Sequence, residues 1–197
     1  LGKAPFRNCD RLRSILVDPN NQNYKSIDGI LFSNDLQTIL RYPCKKEEDS
    51  YVIPESVTTI GASAFEHCTF LEEIDIASSV GFIGNSVFYY CSNLKSIIVN
   101  PNNSKYSSVD GILFSKQLEK LICYPAQHEG ISYHIPSTVG SLSKSCFANC
   151  MSLKVITIPS SIISIANRSF AYCTSLQAIE IPSSVTSIGN KAFSGCS

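Results

Sequence analysis

Phenylalanine is followed three residues later by cysteine at six places along the chain: Phe6/Cys9, Phe65/Cys68, Phe88/Cys91, Phe147/Cys150, Phe170/Cys173 and Phe193/Cys196. The phenylalanines are separated by 59, 23, 59, 23 and 23 residues. A fixed period in the twenties means that one short coil stacks on the next, because a unit of that size cannot bury its apolar face alone. A recurring Phe or Cys is then a core ladder residue before it is anything chemical. The period starts early and stops late. Leu1-Gly2-Lys3-Ala4-Pro5-Phe6 aligns with Ile60 to Phe65 and with Ile188 to Phe193, and Phe193 to Ser197 falls inside a coil. The alignment predicts one solenoid domain over residues 1–197, cut from a longer array.

The short coil is clearest from Leu153 to Leu176, where L-x-x-I-x-I-P precedes two small polar residues and then I-x-x-x-x-F-x-x-C. Alternation in I-x-I buries one face of a short strand and leaves the other in water. Pro54, Pro136, Pro159 and Pro182 end these strands, since proline has no amide donor and suits a corner. Ser160-Ser161 and Ser183-Ser184 form the turn that follows. A second extended piece comes next, as at Val185 to Ile188, and the A-F-x-x-C segment is expected to close the coil as a short helical turn.

Two coils are longer, spanning about residues 15–50 and 97–132. Tyr24 and Tyr106, Asp28 and Asp110, and Pro43 and Pro125 each stand 82 residues apart, so the long coil belongs to a higher-order repeat. Asp-Gly at 28–29 and at 110–111 favours a tight turn. Ile30 to Ser33 and Thr38 to Tyr42 predict a protruding or edge-packed β-hairpin, repeated in the second long coil. The loops Cys44 to Ser50 and Ala126 to Ser132 differ from each other, which marks them for specific contact.

The run I-P-S-S-V-T-S-I-G-N-K-A-F-S-G-C at Ile181 to Cys196 resembles the BspA-type, or Treponema pallidum-type, leucine-rich repeat. The long coil, with N-x-x-Y-x-S-x-D-G-I-L-F and a later Y-P, is similar to the extended repeat of that family. The resemblance covers essentially the whole chain. It implies a mainly β, right-handed leucine-rich-repeat solenoid: short parallel strands, short helical or 3-10 turns, and β-hairpin insertions in two long coils. It also implies a secreted or cell-surface protein of a host-associated microbe, engaged in adhesion to host or extracellular-matrix proteins. That family has no common catalytic residues, so the resemblance implies no enzyme. Ala77, where proline is usual, and Gly140 and Ser143 depart from the pattern and predict local irregularity.

Composition narrows the partners. Sixteen basic and sixteen acidic side chains cancel, which disfavours nucleic acid, whose affinity rests on many Lys/Arg–phosphate contacts. No apolar run approaches the ~18 residues of a membrane span, so this segment is not expected to insert. Nine cysteines include only one near pair, Cys146 and Cys150, without a histidine beside it, so neither metal nor cofactor is expected. His67 neighbours Cys68 in sequence, but a turn there sends them to different faces, and no catalytic residue is expected. Buried, free thiols are favoured over disulfides, because ladder side chains point the same way and nine is odd. Asn102-Asn103-Ser104 and Asn167-Arg168-Ser169 are formal glycosylation triplets.

The outward strand positions form the candidate binding face: Ser14, Leu16, Glu73, Asp75, Ser96, Ile98, Val155, Thr157, Ala178 and Glu180. A partly apolar surface with a few charges suits a protein ligand. Two other functions fit the same sequence. One is a structural spacer that projects another domain. The other is a carbohydrate-binding module using Tyr42, Tyr89, Tyr90, Tyr124 or Tyr133. Open coil ends also predict end-to-end self-association.

Overall fold

The computed structural model describes residues 5, 6, 9 and 11–196. Of the N-terminal repeat, Pro5, Phe6 and Cys9 are therefore visible, while the alignment of residues 1–4 lies outside the described residues. Among the described residues there are seventeen strands of two to four residues and no helix.

One wall of the solenoid carries the strand before each proline. Ser50–Val52, Glu73–Ile76 and Ser96–Val99 pair in parallel, as do Ser132–His134, Val155–Thr157 and Ala178–Glu180. Register places Ile74 opposite Ile97, and Tyr133, Ile156 and Ile179 in one row, so the same position points inward in every coil. A second wall holds the shorter extended pieces: Thr59–Ile60 with Phe82–Ile83, and Ser164–Ile165 with Ser187–Ile188. Gly140 and Ser143 keep the cross-coil bonds of their neighbours, through Gly140 N–H to the Glu119 carbonyl and Ser143 N–H to that of Leu121. The backbone stays regular where irregularity was expected.

The closing turn is not helical. In the Gly61 to Cys68 segment, Ala64, Glu66 and Cys68 donate to the residue three back, whereas Ser63, Phe65 and His67 donate across to Asn85, Val87 and Tyr89 of the next coil. Alternate amides are thus taken by the stack, and a helix needs all of them. Ser63 and His67 accordingly sit at φ of 56° and 63°.

Aromatic rings run through the interior as two ladders. Tyr42, Phe65 and Phe88 form one, with centroids 5.1 and 5.7 Å apart. Tyr124, Phe147, Phe170 and Phe193 form the other, at 5.1, 5.1 and 5.3 Å. The phenylalanine gap of 59 residues therefore contains an extra rung occupied by tyrosine, and divides into 36 and 23. Beside the rings, the thiols of Cys68, Cys91, Cys150, Cys173 and Cys196 each point at the carbonyl of the previous rung. Cys91 Sγ lies 2.9 Å from Phe65 O, Cys173 Sγ 3.0 Å from Phe147 O and Cys196 Sγ 2.9 Å from Phe170 O. Phe65 O also accepts the Cys68 N–H, so both of its lone pairs are used. Cysteine suits the position as a small apolar residue that still carries a weak donor. All nine cysteines are free thiols.

Each long coil adds an antiparallel meander: Tyr24–Ile27, Ile30–Ser33 and Thr38–Arg41 in the first, Tyr106–Val109, Ile112–Ser115 and Lys120–Cys123 in the second. The expected hairpin is present, but it neither protrudes nor stands alone. A third strand precedes it, and the last strand joins the second wall by pairing in parallel with Thr59–Ile60 or Ser141–Leu142. Ile112, Leu113 and Phe114 are core residues. Asn103 ties the second meander down. It is fully buried, its Nδ2 donates to the Ala77 and Val80 carbonyls at 2.8 and 2.9 Å, and its Oδ1 accepts the Lys105 and Tyr106 amides.

Candidate functional site

The first wall was the candidate face, and the structure divides it into panels. Ile97 donates not to another strand but to Gly111 O, and Val99 N–H donates to Ser108 Oγ. The Asp110-Gly111 turn of the meander therefore covers the edge after Ser96–Val99. Its φ values of 50° and 75° are those of a two-residue hairpin turn that favours Asp-Gly. The angle requires glycine, and a Cβ on Gly111 would also crowd Ser96, at 2.9 Å from its Oγ and 3.3 Å from its Cα. Gly29 closes on Ser14 in the same way, and Ile15 N–H donates to its carbonyl.

The ten candidate residues consequently fall into three groups. Ser14 and Leu16 lie on a segment that is extended but forms no strand, with Leu16 88% exposed. Glu73, Asp75, Ser96 and Ile98 share one panel; Val155, Thr157, Ala178 and Glu180 share another. Leu16, Glu73, Ile98, Val155, Thr157, Ala178 and Glu180 are exposed. Ser96 and Asp75 are half-buried, Ser96 against the Gly111 turn. Four outward residues escaped the sequence reading: Ser50 and Val52, paired with Glu73 and Asp75, and Ser132 and His134, paired with Val155 and Thr157. The shared ending of S-Y-V-I-P, S-Y-H-I-P and V-I-T-I-P was the available signal.

Within the first panel, Val52, Pro54, Asp75, Ala77, Ile98 and Asn100 line a groove of about 370 Å³. Val52 and Ile98 flank Asp75, being its register partners on either side. Asp75 Oδ1 is buried there without a hydrogen-bond partner. A buried carboxylate oxygen left unpaired is costly, and a donor brought by a partner would remove that cost.

Of the aromatics considered for sugar stacking, Tyr42 and Tyr124 are buried rungs, and Tyr133 packs between Tyr124 and Phe147 at 4.9 and 6.0 Å. The two rungs are closed to solvent, and Tyr133 is half-buried. The loop expected to make specific contacts at 126–132 is tied at His128, whose two ring nitrogens lie 2.7 Å from Asp110 O and 2.8 Å from Glu129 O, while Gln127, Glu129, Gly130, Ile131 and Ser132 are exposed. The His67 ring stacks on Tyr90 at 4.5 Å, while Cys68 is buried with its Sγ toward Tyr42 O, so the two are directed apart. Burial pushes the Cys146 thiol up to about 12 and the Cys68, Cys123 and Cys150 thiols well above their usual range. Such thiols are poor nucleophiles. Among the described residues no three His, Cys, Asp or Glu side chains converge as a metal site requires.

The model of the BspA type leucine rich repeat region matches residues 1–123 and 116–197 in six copies. Comparison with the curated proteins returned no match. Among solved structures, a leucine-rich repeat protein from Eubacterium ventriosum is 33% identical, with a TM-score of 0.73 over 75% of this chain and 40% of that one. The pneumococcal vaccine antigen PcpA is 25% identical, with a TM-score of 0.60 over 76% and 49%. A leucine rich cell surface protein from Faecalibacterium prausnitzii is 27% identical, with a TM-score of 0.54 over 76% and 52%. The chain thus spans about half the length of these proteins or less.

Proposed function

The chain belongs to the BspA-type leucine-rich repeat family, and from that premise we propose that it is a surface-displayed module that binds a protein through its first wall. The cell-surface protein of F. prausnitzii supports the location. The observation that carries the binding reading is the Val52–Asp75–Ile98 groove. It combines exposed aliphatic side chains with a carboxylate oxygen that no described residue satisfies. A partner residue with an apolar stem and a donor at its tip fills both needs, as arginine does at protein interfaces. Host-cell surface or extracellular-matrix proteins are the proposed partners. The family match also supports the absence of enzymatic activity.

The test is a binding screen against cell surfaces and matrix proteins with the native chain and with the double variant Val52→Glu, Ile98→Glu. Both positions face solvent, so the fold is expected to survive, which an unchanged melting temperature checks. The reading expects attachment that the variant loses. Attachment equal in both proteins, or none in either, would instead leave the wall as the side of a spacer.

A further inference from the structure

The side of the solenoid formed by the closing turns carries a second site. The turns at 63–67, 86–90, 145–149, 168–172 and 191–195 form a ridge, marked at each step by a positive φ at Ser63, Ser86, Ser145, Arg168 and Lys191. The long coil interrupts that ridge. From its wall strand to its rung runs Leu121 to Tyr124, three residues, where the next coil uses five, from Leu142 to Phe147. The protruding turn is thus missing there. The ridge closes over the gap: Ser86 Oγ and Ser145 Oγ, 59 residues apart, stand 3.2 Å from each other.

Beyond the gap, turns that are not neighbours meet. Tyr90 and Tyr172 have ring centroids 5.2 Å apart, and the Arg168 guanidinium lies 5.7 Å from the Tyr89 ring. The 145–149 turn lies between them in the stack, so the solenoid bends toward this side. The result is a cleft of about 450 Å³, within the range of small-ligand sites, whose lining includes His67, Tyr89, Tyr90, Arg168, Tyr172 and Lys191. A second cavity of about 380 Å³ shares Arg168 and Lys191 with it and adds Lys144. Three cations on successive turns face two connected hollows, in a chain whose total charge is zero. The acidic residue lining them is Glu66.

We propose that this cleft binds an acidic glycan, with a sugar ring among the tyrosines and its carboxylate or sulfate groups on Lys144, Arg168 and Lys191. Two observations select this class. The cleft is lined by three phenols, Tyr89, Tyr90 and Tyr172, and not by carboxylates apart from Glu66. Neutral phenols both donate and accept, as a polyhydroxylated ring requires. The ring faces are also largely taken. His67 stacks on Tyr90 at 12°, Tyr90 packs on Tyr172, and Arg168 covers Tyr89. That leaves hydroxyls, edges and cations for the ligand, and no open platform of the kind that holds a nucleobase.

The experiment is calorimetric titration of the chain with a heparin tetrasaccharide and an oligogalacturonate tetrasaccharide, whose charges are mainly sulfate and wholly carboxylate respectively. Maltotetraose and a short oligothymidylate serve as comparators. Binding of either acidic glycan is expected to weaken with salt. It should fall by roughly tenfold in Lys144→Gln, Lys191→Gln, two exposed positions, through the lost charge contacts, and by a similar factor in Tyr172→Ala, which removes a hydroxyl and a ring edge from the cleft. The wall variant Val52→Glu, Ile98→Glu is expected to bind the glycan unchanged, which separates this site from the protein-binding wall. Failure to bind either acidic glycan overturns the proposal. So does equal affinity for maltotetraose, tighter binding of the oligothymidylate, or an effect of the lysine pair without one from Tyr172→Ala in a protein that melts normally.

Discussion

Asn103 offers the sharpest test of how the meander is attached. The side chain is fully buried and all four of its hydrogen-bond positions are filled: two carbonyls of the preceding coil at 2.8 and 2.9 Å, and two amides of its own loop at 2.8 Å each. In Asn103→Ala the four partners remain and their bonds go. At about 1 kcal/mol for each bond the loss is about 4 kcal/mol, and the Val80 carbonyl left without this donor can push it higher, whereas Ala77 O still accepts the Val80 N–H. For a chain of this size that corresponds to a fall of about 8–16 °C in melting temperature. Asn21→Ala is the internal control. Asn21 occupies the equivalent position in the first long coil and accepts the Asn23 and Tyr24 amides, but it is only half-buried. About half the effect is expected there. Asn103→Asp should be no better than alanine, since it turns an oxygen toward two carbonyl oxygens. The assay is urea and thermal denaturation followed by circular dichroism. A loss below about 1 kcal/mol for Asn103→Ala would show that water replaces the side chain and that the loop is not anchored through it.

Tyr42→Phe is expected to be neutral or stabilising, by up to about 2 kcal/mol, because the Tyr42 hydroxyl is buried without a partner and its removal leaves a phenylalanine rung like those that follow. Clear destabilisation in urea titration would refute this. Stability should also fall in alkali. Burial raises Cys146, Tyr51 and Tyr133 to about 12, so the folded chain keeps protons that the unfolded chain releases. Stability is then complete below about pH 7.5 and declines as pH rises through the unfolded thiol and phenol values toward the folded ones. A urea midpoint that stays level or climbs over that range contradicts the assignment. Finally, iodoacetamide under native conditions should modify no more than Cys9 and Cys196, the two thiols that are not buried, and all nine after denaturation. Intact-mass spectra showing further adducts on the folded chain would break the ladder description.

The parts of this fold legible in the sequence are those fixed by local periodicity. Phe65, Phe88, Phe147 and Phe170 announce the rungs, and the Ile-Pro endings announce the first wall, because every coil repeats the same inward pattern. Tyr42 and Tyr124 were hidden as rungs for two reasons. The long coil reaches its rung in three residues instead of five, and Pro43 or Pro125 replaces the familiar A-F-x-x-C context. With those rungs uncounted, Val52 and His134 were not recognised as outward residues. The half-burial of Ser96 and the contact between Tyr90 and Tyr172 were out of reach for a different cause. Both depend on how one element closes over another many residues away, and alternation within a coil carries no such information.

The panel arrangement constrains any protein partner of the first wall. Three parallel strands spaced ~4.8 Å apart, each three or four residues long, present only on the order of 200 Å². A stable protein interface takes about 800 Å² from each side. A partner seated on the Val52–Asp75–Ile98 groove must therefore reach beyond that panel, across the turns that border it. Those turns are not inert spacers. Ile27 and Val109, each one residue before its Asp-Gly pair, are exposed and aliphatic. The row Leu16, Ile27, Val52, Asp75, Ile98 and Val109 is apolar except at Asp75, whereas the equivalent positions further on are His134, Thr157 and Glu180. The meanders thus divide the wall into panels yet continue its apolar line across each division. The residues that interrupt the sheet thereby widen the apolar surface open to a partner.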